Sequence, residues 1–206
     1  MISEFFFRVI FSALWVILMA HIAWVGYLTR SSSGHRERQG VGWIRIVAVA
    51  LSVPYFLGVI LYALHPGWMA FLSLPLPNWF RLIMLFVAAL GTSMAVWGLR
   101  VLGKNWAPSL SGVRSDTLLV TTGPYSIVRN PIYLGLLTLI PSLALVASNW
   151  LLVLPGFILC SMLYTQVRGE EATLIDHFGD AYLDYMKRTP RLIPKLRRTH
   201  APPSKD

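Results

Sequence analysis

Long apolar blocks alternate with short polar, basic stretches along this chain, at lengths that suit helices and not strands. The blocks at about 5–29, 42–64 and 79–102 can each cross a hydrocarbon core of about 30 Å, because a helix rises about 1.5 Å per residue. Two shorter blocks, about 131–148 and 150–166, are separated only by Ser148-Asn149, which predicts a tight helical hairpin. The pattern predicts an all-α fold, an integral membrane bundle of about five transmembrane helices forming one multi-pass domain over residues 1–206. Pro54, Pro141 and Pro155 fall inside blocks and are expected to kink them, while the tryptophans other than Trp106 mostly lie near block ends, where indoles settle at the interface.

Composition agrees with this class. Hydrophobic residues make up 55% of the 206 positions and charged residues 13%, far from an ordinary soluble domain. Most of the formal charge of +9 is carried by three stretches, Arg30 to Arg45, Arg100 to Arg129 and Arg168 to Arg198, whereas the His65 to Asn78 loop and the Ser148-Asn149 turn hold no Lys or Arg. The basic stretches are expected in the cytoplasm and the others outside, so the N-terminus is outside, the C-terminus cytoplasmic and the setting a prokaryotic inner membrane. Contact with anionic membrane lipids then accounts for the charge, and nucleic acid is excluded because no nucleic-acid motif accompanies it. The first block is longer than a signal-peptide core and its charges follow it, so it is read as a retained helix. Cys160, the one cysteine, is expected to be a packing residue, and no metal-spaced His/Cys cluster is present. Oligomeric state has no signature in the sequence.

Function is expected where polarity interrupts the apolar pattern. The stretch between Leu102 and Pro131 is too polar to span and too long for a simple turn. Asn130 is a good N-cap and Pro131 suits the first helical position, so the first turn around Ile132 and Tyr133 is expected to offer unpaired N–H groups to a carboxylate or phosphate. Beyond the fifth block Gln166 and Glu170 share one helical face, Gly179 is expected to end that helix, and Asp180 to cap a short final one. Of the adjacent pair Glu170-Glu171, Glu170 is the expected acceptor for hydroxyls or an ammonium group of a ligand, and Glu171 is expected to matter much less.

The string Leu118-Leu119-Val120-Thr121-Thr122-Gly123-Pro124-Tyr125, then Arg129-Asn130-Pro131-Ile132-Tyr133, then Glu170-Glu171 ahead of His177-Phe178-Gly179-Asp180-Ala181-Tyr182-Leu183-Asp184-Tyr185, resembles the isoprenylcysteine carboxyl methyltransferase and phospholipid methyltransferase superfamily. The likeness covers about Leu102 to Pro194. It implies a membrane enzyme that transfers a methyl group from S-adenosyl-L-methionine to a lipophilic acceptor: an isoprenylcysteine, a phospholipid amine or a small thiol. Residues 1–101 then supply N-terminal helices, 102–194 the methyltransferase-like region with its cofactor-binding loop and cytoplasmic C-terminal helix, and 195–206 a basic tail expected to be disordered. The cofactor-binding residues it implies are Thr117, Leu118, Leu119, Val120, Tyr125, Asn130, Pro131, Ile132, Tyr133 and Glu170, with Gln166 and Trp106 toward the substrate.

Two positions depart from the family. A histidine usually precedes the proline where Asn130 stands, and an arginine common in the carboxyl methyltransferases stands where this chain has Gln166. Glutamine lacks the charge and the bidentate fork that would hold a substrate carboxylate, so a neutral or amine-bearing acceptor is expected. No essential acid or base is identified. The competing readings are a non-catalytic membrane binding or assembly protein on the same fold, and a membrane ene-reductase using NADPH.

Overall fold

The structure, a computed structural model, describes residues 3–30, 43–105 and 117–194. Its helices are α1 (Glu4–Arg30), α2 (Trp43–Leu64), α3 (Asn78–Leu102), α4 (Pro131–Ala147), α5 (Trp150–Phe178) and α6 (Asp180–Arg188), and among the described residues there is no strand. Short 3-10 turns at Pro66–Leu72, Gly103–Asn105 and Gly123–Ser126 fill the connections. Five apolar helices thus stand on the five predicted blocks. By length and composition α1, α3 and α5 are able to cross a membrane, while α4 and the described apolar part of α2, Ser52–Leu64, are shorter. The fifth block was expected to end near 166, but α5 continues without a break through 29 residues to Phe178. At about 1.5 Å per residue that is about 43 Å, so its last turns extend beyond a hydrocarbon core of about 30 Å.

Small residues set the tightest contact, between α3 and α4. A Cβ built on Gly135 would lie 2.6 Å from both the Ala95 amide nitrogen and the Gly91 carbonyl oxygen, and one on Gly91 would lie 2.8 Å from the Gly135 carbonyl oxygen. Gly98 continues the seam, with Ile132 Cγ1 2.8 Å from its would-be Cβ. Lipid offers apolar side chains nothing worse than another helix does, so close backbone approach at small residues is what draws transmembrane helices together. The seam fixes the start of α4 against the last turns of α3.

At the other end of these helices, polar groups tie the connections together. Ser148 adopts the left-handed conformation with φ 49°, and Asn149 caps α5 by accepting from the Leu151 N–H at 3.0 Å. The Asn149 amide also donates to the Met69 carbonyl at 2.7 Å, and the Leu74 N–H donates to the Ser148 carbonyl at 2.6 Å. The loop after α2 and the α4–α5 turn therefore lie together at one end of the bundle, as their shared lack of Lys and Arg predicts. Beneath them Arg81, 7% exposed, donates to the Val146 carbonyl, to both oxygens of Glu4 and to the Tyr62 hydroxyl, and its guanidinium lies 4.0 Å from the centre of the Phe7 ring.

The α3–α4 seam yields a direct test. Gly135→Val inserts atoms where backbone already stands and should cost about 1–3 kcal/mol or more of stability. The measurement is unfolding of the purified protein in mixed micelles, and wild-type stability in the variant would show that α3 and α4 are not in backbone contact at this position.

Candidate functional site

The end of the bundle opposite Ser148-Asn149 gathers the polar residues of the C-terminal half. The turn Gly123–Ser126 needs the positive φ of 60° at Gly123, and it buries Tyr125 against α3, where the phenol donates to the Gly98 carbonyl at 3.4 Å. From there the chain passes through Val128 and Arg129 into α4. One turn into α4, the Tyr133 hydroxyl donates to Glu170 Oε1 on α5 at 2.6 Å. Burial holds the Tyr125 phenol well above the ordinary tyrosine range, and the charge of Glu170 is among the lesser causes. Tyr125, Tyr133 and Glu170 thereby lie near one another.

Glu171 is turned about 100° from Glu170 around the helix and enters a different environment. It is 2% exposed. Its Oε1 accepts from Arg129 Nε at 3.0 Å and Nη2 at 2.9 Å and from Asn130 Nδ2 at 3.0 Å, while its Oε2 accepts from Arg191 Nε and Nη2 at 2.7 Å each. Two guanidinium forks on one carboxylate are a strong, directional arrangement. The remaining Arg129 nitrogen donates to the carbonyls of Met186 and Thr189. One carboxylate against two guanidiniums leaves the cluster formally at +1.

The backbone after α6 joins this cluster. The Arg129 N–H donates to the Pro190 carbonyl at 2.9 Å and the Asn130 N–H to the Arg191 carbonyl at 3.2 Å, so residues 189–191 cross the start of α4. Gly179, with φ 56°, turns the chain from α5 into α6. The Tyr185 hydroxyl then donates to the Tyr125 carbonyl, which anchors α6 over the Gly123–Ser126 turn. Burial pushes the Tyr182 phenol up to about 12, with the Glu171 charge adding to the shift, and burial likewise raises Tyr185. Both phenols stay protonated at neutral pH.

Several expectations change here. Asn130 occupies the N-cap position, but its side chain makes no capping bond; its amide donates to Glu171 and to the Arg191 carbonyl instead, because a buried carboxylate is a stronger acceptor to satisfy. The first turn of α4 is not an open anion site, since Asn130, Pro131 and Tyr133 are buried and residues 189–191 cover its approach. Asp180 does not cap α6: Gly179 precedes the helix and no side chain caps it. Glu171, expected to matter much less than Glu170 to a ligand, is the buried hub of the ion-pair cluster, and its partners Arg129 and Arg191 read in the sequence only as topology charges. An adjacent acidic pair on a helix must face two ways, and that was the available signal.

The other candidates lie less centrally. Leu118, within the stretch Thr117, Leu118, Leu119 and Val120, is 70% exposed and its N–H donates to the side chain of Asn105, in the turn that follows α3, at 3.2 Å. Ile132 packs on Gly98, and Gln166 is half-buried on α5, one turn before Glu170. Trp106 lies outside the described residues. Among the described residues no three His, Cys, Asp or Glu side chains gather as a metal site.

A helical bundle with membrane-length apolar helices, a buried ion-pair cluster and a phenol–carboxylate pair at one end of its C-terminal half defines an integral membrane class of protein. Residues 82–176 match the model of the isoprenylcysteine carboxyl methyltransferase (ICMT) family, and over that span the chain is ICMT-like. It is 35% identical over 96 residues, 46% of this chain and 41% of the other, to a protein-S-isoprenylcysteine O-methyltransferase of Schizosaccharomyces pombe. It is also 30% identical over 119 residues to the nickel-cobalt-cadmium resistance protein NccN of Alcaligenes xylosoxydans xylosoxydans, covering 58% of this chain and 54% of that protein. The structure of the eukaryotic intramembrane Ras methyltransferase ICMT superposes with a TM-score of 0.51 at 26% identity, over 72% of this chain and 51% of that one. The chain thus spans about half the length of these relatives.

Stability should separate the two glutamates. Glu171→Ala leaves Arg129 and Arg191 facing each other uncompensated and should cost about 3–5 kcal/mol, the range for breaking a buried pair. Glu170→Ala should cost much less. Thermal unfolding in detergent checks both, and equal melting temperatures would contradict the buried cluster.

Proposed function

We propose that the protein is an S-adenosyl-L-methionine-dependent membrane methyltransferase whose site faces the cytoplasm and whose acceptor is lipophilic and reaches it from the bilayer. The observation that carries this reading is the buried Tyr133 hydroxyl held on the half-buried Glu170 carboxylate, beside the Arg129–Glu171–Arg191 cluster. Glu170 suits the ammonium or a hydroxyl of such a ligand, while the guanidiniums beside it, engaged by Glu171 and by backbone carbonyls, hold the backbone that leads to Tyr133. The match of residues 82–176 to the family model supports the same choice, and the basic stretches support the orientation.

The cofactor would supply a methyl group on a sulfonium, displaced in line by the acceptor as positive charge is neutralised. The chain's own part is binding and alignment. Glu170, oriented by Tyr133, accepts hydrogen bonds from amino or hydroxyl groups; Tyr125, tied to Gly98, offers an aromatic wall; and the walls of α3, α4 and α5 keep water out while donor and acceptor are held in line. No residue is assigned as a general base. Thr117, Leu118, Leu119, Val120, Asn130, Pro131 and Ile132 frame the donor side, and Gln166 with Trp106 the acceptor side. Asn130 reaches the donor only through Glu171, so the histidine usual at that position is replaced here by another hydrogen-bond donor.

Glu170→Ala should weaken binding of S-adenosyl-L-methionine by about 1.5–3 kcal/mol, the range for hydrogen bonds to a charged group, in isothermal titration of the detergent-purified protein. Equal affinity in wild type and variant would remove Glu170 from the site, and binding of NADPH in place of the sulfonium would favour the reductase reading.

Substrate charge is tested at Gln166. This side chain stands one turn before Glu170 and, among the described residues, makes no hydrogen bond, so it is free to meet an acceptor with donor and acceptor groups but no charge. Gln166→Arg should shift methyl transfer from phosphatidylethanolamine toward a prenylcysteine carboxylate, because a guanidinium repels an ammonium and pairs with an anion. Transfer from labelled donor to both acceptors measures it, and efficient prenylcysteine methylation by wild type would return the carboxylate to first place.

A further inference from the structure

Residues 180–191 hold the proposed donor site from behind without belonging to it. Tyr185 holds the Tyr125 carbonyl, Arg129 reaches the carbonyls of Met186 and Thr189, and the backbone of Pro190 and Arg191 accepts from the N–H groups of Arg129 and Asn130. These contacts all fall on one stretch, 125–130, which leads straight into the turn that carries Tyr133. The fastening point is Glu171, one residue from Glu170 on α5, which closes the loop by gripping Arg129 on one side and Arg191 on the other.

The geometry points to Arg191 and Glu171 as positioning residues: with Arg129 they latch the 189–191 strap across the start of α4, and latching is coupled to donor binding at the neighbouring Tyr133–Glu170 pair. The inference rests on the methyltransferase reading above. Two features make the latch a coupling element as well as a packing contact. First, Arg191 is its exposed half: the Arg129 side chain is 7% exposed and that of Arg191 35%, so the strap can lift from Glu171 while Arg129 keeps it neutralised. Second, the strap occupies the N–H groups of Arg129 and Asn130, and a lifted strap would hand these back to water and loosen the entry into α4. A donor that needs Tyr133 and Glu170 in register therefore binds the latched state better, and by reciprocity its binding tightens the latch.

The test uses the full chain in detergent or lipid nanodiscs with S-adenosyl-L-methionine as the probe. Arg191→Ala is chosen because it removes the exposed partner and leaves the buried pair neutral, and Arg191→Lys because it restores charge without the fork. Arg191→Ala should weaken donor binding about 10-fold, a typical coupling, with Arg191→Lys between it and wild type. Hydrogen exchange should quicken at the Arg129 and Asn130 amides in Arg191→Ala while the α3 amides exchange as in wild type, and the donor should slow exchange at both positions in wild type. Unchanged donor affinity in Arg191→Ala, or faster exchange spread into α3, overturns the coupling while leaving the function reading in place. A wild type that does not bind the sulfonium overturns the function reading and the coupling with it.

Discussion

Glu171 is the interaction on which the working end of this bundle depends. A carboxylate 2% exposed is tolerable only if its charge is met, and it is met by two guanidiniums, each with two donors on one of its oxygens, and by an amide. The arrangement is asymmetric. Removing either arginine leaves a neutral pair, whereas removing the carboxylate leaves two like charges in contact. The stoichiometry thus concentrates the dependence on one residue, and through it on the geometry of three chain segments: the entry to α4, the body of α5 and the strap after α6.

The opposite end repeats the device with the signs exchanged. There a buried arginine, Arg81, is the hub, and Glu4, Tyr62 and the Val146 carbonyl come to it from α1, α2 and α4. Between the two ends the contact is apolar and governed by absence of side chain, through Gly91, Gly135 and Gly98. Helices in lipid gain little from burying apolar surface against one another, so polar fasteners at the ends and backbone contact in the middle divide the task. This also explains how a 17-residue α4 is held: its start is fixed by Gly98 and the Glu171 cluster, and its end by Arg81.

What the sequence could reveal follows from range. The positions of the helices, the Ser148-Asn149 turn, the stop at Gly179 and the shared face of Gln166 and Glu170 all rest on contacts within a few residues, and all are present. Bringing Tyr133 to Glu170 spans 37 positions, and only resemblance to a family pointed to it. The Arg129–Glu171–Arg191 cluster escaped because a basic residue beside an apolar block reads equally well as a topology signal, and nothing local says that its side chain turns inward. The Asn130 side chain went astray for a related reason: local rules assign an N-cap asparagine to its own helix, and a buried carboxylate 41 positions away has the stronger claim.

The two departures from the family differ in kind. Asn130 donates its amide hydrogen to Glu171, a task that a ring N–H would also perform, so the exchange alters titration and not connectivity. A histidine there could add a third positive charge beside two guanidiniums when protonated; asparagine cannot. Gln166 makes no described bond that the rest of the fold needs, and it lies on the face of α5 that continues to Glu170. A different side chain there leaves the hydrogen-bonded scaffold alone. At the position tied into the buried cluster the chain keeps a donor and so keeps the connectivity of three segments, whereas at the position outside it the charge is dispensable to the fold, and that is why the two differences are unequal in structural consequence.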